Sequence, residues 1–287
     1  MGISEQLLQR IQRQPFEEPI RDQIFSADRL EQFGKYLAKQ IPITKIITAG
    51  KSLLPRVSDN AKHLVAAYKT FSEAVSKGQT LPPSAEWLID NFHIVEDQIR
   101  EIQEDLPDKY YLELPKLSVG ELAHYPRVYA MALSLIAHTD SHIESDTLKR
   151  FIREFQTESP LTIGEIWAIA IVLRIGLVEN LRRVILNVLY THEIVESSNM
   201  LADRILEKVS KSENEDFSEE LTVITKCLGI SDVADSSITL QLLRRLRDQH
   251  TSVHCLCEKL DNHMVEKNRT FENVLQSEHQ FHYTEKD

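Results

Sequence analysis

Glycine is scarce in this chain, with 8 residues in 287 against 10 prolines. So few argue against a turn-rich β protein, and none are grouped into a Gly-rich loop that could cradle phosphate. Basic residues are also in short supply. The chain has 33 Lys and Arg against 44 Asp and Glu, a net charge of −11. Such a chain is a poor general binder of nucleic acid or of an anionic membrane surface, and Arg182-Arg183 and Arg244-Arg245 are only small basic patches. Cysteines number three, Cys227, Cys255 and Cys257. An odd count without framework spacing predicts reduced thiols and a cytoplasmic setting. Cys255 and Cys257 are two apart, so on a helix they point in nearly opposite directions and do not chelate one ion. A long hydrophobic run is missing too. The most apolar stretch, IWAIAIVLRIGLV at 166–178, is shorter than the ~18 to 20 residues of a membrane span, and Arg174 sits inside it. The opening MGISEQLLQRIQRQ is amphipathic and polar, unlike a signal peptide. Met1-Gly2 resembles a myristoylation start, but Gln6 stands where Ser or Thr is wanted.

Helical periodicity fills what remains. In SADRLEQFGKYLAKQI, Ser26 caps a helix with Leu30, Phe33 and Leu37 on one face, ended by Pro42. The next is read from caps at Ser58 and Asp59 to Gly78, with Leu64, Tyr68, Phe71 and Val75 as its stripe. Pro82-Pro83 opens a third, where a first-turn proline loses no hydrogen bond. It runs to Leu106 with Trp87, Ile94 and Ile102 as its apolar face, and Glu96 four residues before Arg100 forms a favourable ion pair. A connector at 107–125 allows one helical turn at Lys109–Glu113. Two helices follow, PRVYAMALSLIAHT and ESDTLKRFIREFQTES, the second with Leu148, Phe151, Ile152 and Phe155 on one side. Thr162 and Glu165 then form a T-x-x-E capping box, opening a helix that is apolar on nearly every side until Glu179. Arg174 within it calls for an acidic partner or a carbonyl cluster, and Glu179 pairs with Arg183. Beyond a polar loop at 209–220 come a short helix near 218–228 and a long one from Ser237 to Leu275. No alternating strand pattern is found. The prediction is an all-α fold, several helices packed around the apolar helix at 162–190. Its organisation is a helical domain at 1–208, the loop at 209–220, a helical extension at 221–275 packed on that domain, and a frayed tail at 276–287.

Chemical constellations are thin. Asp90 and His93 form D-x-x-H, and Glu121 and His124 form E-x-x-H, the carboxylate–histidine spacing of di-metal helical bundles. One pair carries Asp and the other lies beside Tyr125-Pro126 in a loop, so this remains an alternative only. His138–His142 and His250–His254 have i,i+4 spacing without the following Glu of a metalloprotease helix. There is no G-x-S-x-G, no cysteine in a nucleophile context, and no D-x-D to hold a metal against a sugar-nucleotide diphosphate. No catalytic residue is assigned.

Three stretches carry a resemblance. PPSAEWLIDNFHIVEDQIREIQEDLPDKYYLELPKL, YPRVYAMALSLIAHTDSHIE and LTIGEIWAIAIVLRIGLVENLRR, with DQIFSADRLEQFGKYLAKQ upstream, are similar to the N-terminal region of cyclic β-1,2-glucan synthetases. The similarity covers most of 22–190 and loosens beyond. The resemblance implies a parent enzyme of the bacterial inner membrane. That parent uses UDP-glucose and a divalent metal to build the glucan on itself and close it into a ring. Its glucosyltransferase and phosphorylase-like regions follow the part matched here. On this reading the segment needs no cofactor of its own and touches other domains of the synthetase. Its expected role is a non-catalytic helical domain that docks or scaffolds the catalytic regions; a free-standing regulatory protein derived from that domain is the further alternative. The candidate interaction surface is His93, Glu96, Asp97, Arg100, Tyr110, Tyr111, Arg127, Tyr129, Glu179, Arg182 and Arg183, with Tyr110 and Tyr111 as conceivable glucan acceptors.

Overall fold

The structure, a computed structural model, describes residues 17–44, 50–106, 108–210, 217–228, 232–247, 249 and 253–267. Among them are ten helices: α1 (Ala27–Gln40), α2 (Leu54–Ser76), α3 (Pro83–Asp105), α4 (Asp108–Glu113), α5 (Arg127–His138), α6 (Ser145–Glu158), α7 (Ile163–Ser210), α8 (Ser218–Cys227), α9 (Asp232–Leu246) and α10 (His254–Glu266). The only extended pairings among these residues are the isolated bridges Ile43–Leu117 and Lys116–Pro126. The fold is all-α. The expected tail at 276–287, half of the polar loop (211–216 of 209–220) and the opening amphipathic stretch lie outside the described residues.

The helices gather into two compact units. The larger takes residues 17–72 and 88–185; the described part of the smaller takes 73–87 and 186–267. Helices α2, α3 and α7 contribute residues to both.

In the larger unit, α1 begins where Ser26 Oγ accepts from Arg29 N. It buries Leu30, Gly34, Leu37 and Ala38. A Cβ on Gly34 would lie 2.9 Å from the Phe151 carbonyl oxygen, so glycine lets α1 and α6 approach closely. Helix α2 starts at Leu54, five residues earlier than a cap at Ser58 predicts. Pro55 fits the first turn, where its missing N–H has no partner to lose, and starting there extends the buried stripe back to Leu53 and Val57. That stripe continues through Leu64, Ala67 and Phe71. On α3 the buried face is Leu88, Phe92, Val95, Ile99 and Ile102, with Phe92 stacked on Tyr68 at 4.3 Å. Trp87 and Ile94, expected on the apolar face, are 48% and 47% exposed. Each precedes a buried position by one residue, a helical rotation of ~100° that turns it out of the core.

Among the described residues, α5 is enclosed more completely than α7. Nine of its twelve residues are buried. Helix α7 does pass through the core at Ala168, Val172 and Ile175, and Gly176 gives Ile136 of α5 the space a Cβ would fill. Its first turns, however, carry exposed Ile163, Ile166 and Trp167. No helix among the described residues is long and apolar enough to cross a membrane.

The smaller unit has its own core, in which Ile194, Leu201 and Ile205 of α7 meet Ile224, Ile238, Leu242, Leu256 and Leu260. The predicted long helix from Ser237 is two helices, α9 ending at Leu246 and α10 starting at His254. Cys255 is exposed and Cys257 buried, on opposite sides of α10 as their spacing requires.

Candidate functional site

The densest polar cluster forms around Glu179 on α7, whose side chain is fully buried. An isolated carboxylate there would be too costly, so the fold surrounds it with donors. Arg56 of α2 grips it with both arms of its guanidinium; Nε lies 2.6 Å from Oε2, while Nη2 donates to Oε1. Asn60 Nδ2 donates to Oε2 at 3.1 Å. Arg183, one turn on, donates from Nη2 to Oε1 at 3.1 Å, the predicted i,i+4 pair. Arg182 Nη2 lies 3.6 Å away and also pairs with Glu17, while Arg183 Nη1 donates to the Glu18 carbonyl at 3.0 Å. Burial alone would push the Glu179 carboxyl up, but the Arg56 and Asn60 hydrogen bonds and the Arg56 charge bring it down to about 2. The same hydrogen bond raises the Arg56 guanidinium. Burial, reinforced by the Glu179 charge, pushes the Tyr129 phenol up to about 12.

A second buried pair fixes the start of α7. Thr162 and Glu165 form the predicted capping box, with Thr162 N to Glu165 Oε2 at 2.9 Å and Glu165 N to Thr162 Oγ1 at 3.2 Å. Arg127, at the first residue of α5, lies against the same carboxylate through Nε at 2.5 Å and Nη2 at 3.0 Å. Its remaining donors reach Ser159 Oγ and the Pro160 carbonyl, both at 2.7 Å. Arg127 is 3% exposed and Glu165 not at all.

The tyrosine pair is divided by the fold. Tyr111 is buried and donates to the Lys51 carbonyl; burial raises its phenol. Tyr110 is half-buried and donates to the Gly164 carbonyl in the first turn of α7. Nearby Lys116 is buried, with no carboxylate paired to it among the described residues. Its Nζ donates to the Leu112 and Leu114 carbonyls at 2.9 and 3.2 Å, and desolvation lowers its ammonium.

The remaining candidates lie elsewhere. Asp90, His93, Glu96 and Arg100 are exposed on α3 and Asp97 half-buried. Arg100 pairs with Asp97 at 2.6 Å rather than with the expected Glu96. Arg174 finds the predicted acidic partners in Asp105 at 3.2 Å and Glu101 at 3.4 Å. Glu121 and His124 sit in a turn after Gly120, His124 with φ +73°, and not on a helix. Among the described residues, no group of three or more His, Cys, Asp or Glu is placed to hold a metal ion. Within the expected surface, then, Glu179, Arg182 and Arg183 come together beside Tyr129. Tyr111, Arg127, Tyr129 and Glu179 are interior, and the α3 residues form a separate, solvent-facing set.

Arg56 and Asn60 were missed from the sequence. A signal for Asn60 existed: it interrupts the buried series Leu53, Val57, Leu64, Ala67 at helical spacing, which marks a polar side chain aimed into a core.

No protein-family model matches the chain. It is 30% identical over 272 residues to the cyclic β-(1,2)-glucan synthase NdvB of Rhizobium meliloti (strain 1021). That match takes in 92% of this chain and 9% of the synthase, so the chain spans less than a tenth of the relative's length.

Proposed function

We propose, from the premise that this chain is related to a segment of the cyclic β-(1,2)-glucan synthases, that it is a non-catalytic helical domain serving such an enzyme. It docks against the catalytic regions or steadies their assembly. The observation that carries this reading is the use to which the polar residues are put. Arg56, Asn60 and Arg183 turn their donors toward Glu179, and Arg127 toward Glu165, and the Arg56, Asn60 and Arg127 bonds join helices that are distant in sequence. A reacting group needs a free lone pair or proton facing substrate; these carboxylates turn theirs toward guanidinium groups. The UDP-glucose and divalent metal implied by the family resemblance belong, on this reading, to regions outside the segment.

The test is direct. Purified chain is incubated with labelled UDP-glucose and Mg²⁺ or Mn²⁺, and glucan and free UDP are followed. No turnover above buffer is expected. Release of UDP or label entering glucan, abolished by Glu179→Gln, would overturn the reading.

A further inference from the structure

We propose that the first turns of α7 are the docking face of this domain, and that their occupant is an apolar groove on another domain of a cyclic-glucan-synthase polypeptide. This rests on the docking reading above and gives it a location. Ile163, Ile166 and Trp167 share one side of the helix at offsets of three and four, and are 72%, 44% and 72% exposed. Three adjacent large apolar side chains in water form a patch, which single exposed residues do not.

The turn beneath them is held on three sides. The Thr162–Glu165 box closes its backbone, Arg127 locks Glu165 from below, and the Tyr110 hydroxyl ties the Gly164 carbonyl. A face already ordered loses little freedom on binding. An indole flanked by branched aliphatics at i, i+3 and i+4 is the pattern that enters a groove as a helix anchor.

Charge and chain length select the occupant. A net charge of −11 makes a second copy of this chain, or an anionic bilayer, a repelling neighbour. In the related synthase the matched segment is only 9% of the polypeptide, so most of the surface within reach belongs to that protein's other regions.

Photo-crosslinking in the source cell tests this. A benzophenone amino acid replaces Trp167 in one strain and exposed His93 of α3 in another. After irradiation the cross-linked peptides are identified by mass spectrometry. Position 167 is expected to capture synthase peptides outside the matched segment, at least ten-fold less when Ile163→Glu is added. Circular dichroism checks that the variants stay helical. Capture only of other copies of this chain, of its own smaller unit or of lipid would overturn the proposal. Capture of synthase from position 93 but not from 167 overturns the face and leaves the docking reading standing. No synthase capture from either position removes both.

Discussion

Glu179 accepts hydrogen bonds from Arg56, 123 positions earlier in the chain, and from Arg183, one turn further along its own helix. The contact ties α2 to α7 with a charge that has no access to water. Its carboxyl is held at about 2, below its ordinary value of 4.5. A depressed carboxylate contributes stability that is complete above its unfolded value and is lost as pH falls through its folded value. Between about pH 4.5 and 2 the wild type should therefore lose roughly 3 kcal/mol from this group. Glu179→Gln, which cannot titrate, should lack that component. Urea titrations at pH 7, 4 and 3 on both proteins check it; parallel pH profiles would contradict it.

The start of α7 has two supports of different strength. Thr162→Ala removes a cap and should cost about 1 kcal/mol. Arg127→Ala leaves Glu165 buried beside no cation and should cost about 3 to 5 kcal/mol. Chemical denaturation of the two variants distinguishes them by midpoint. Equal losses would mean that Arg127 adds nothing beyond the capping box.

Trp87 and Phe71 separate face from core. Phe71 is fully buried, and Phe71→Ala should cost about 3 to 5 kcal/mol. Trp87 is about half exposed, so Trp87→Ala should cost less than about 2 kcal/mol, since only part of the ring's burial is lost. Thermal melts of both variants provide the comparison.

Thiol reactivity should sort the three cysteines. Cys255 is exposed and should react with Ellman's reagent within seconds to minutes. Cys227 is buried, its thiol pushed up to about 12 by burial and then by Asp235, and Cys257 is buried as well. One fast thiol and two that need denaturant are expected. Three fast thiols would contradict the burial of Cys227 and Cys257 in the core of the smaller unit.

The sequence revealed local features better than it revealed spatial ones. The Ser26 cap, the Thr162–Glu165 box and the Glu179–Arg183 pair all stand within four residues, and α4 is only six residues long, a range where helix geometry alone decides neighbours. Arg174 was legible for another reason: a cation in an apolar run demands a partner, and Asp105 and Glu101 supply it. The Arg56 grip on Glu179 and the Arg127 grip on Glu165 were not legible, because they join helices 123 and 38 positions apart. Apolar content is no measure of enclosure either. Apolar content singled out 162–190, yet α5 is the more enclosed, since enclosure depends on how many neighbours pack around a helix. Trp87 failed through phase. Its size suggested core, but the buried positions Ala85 and Leu88 on either side leave it facing outward.

Whether the interior charges hold the fold together is measured most directly by a double-mutant cycle on Arg56 and Glu179. Arg56→Gln, Glu179→Gln and the pair are compared by urea denaturation at pH 7. Each single change should be destabilising: Arg56→Gln by about 3 kcal/mol, because it leaves the fully buried Glu179 with only Arg182 and Arg183 beside it, and Glu179→Gln by less, because Arg56 is about a third exposed to water. The double variant should cost well under the sum, a coupling above about 1.5 kcal/mol. Losses that add to within about 0.5 kcal/mol would show that Glu179 is not held by Arg56. Its charge would then have to be kept in the core for some purpose other than structure.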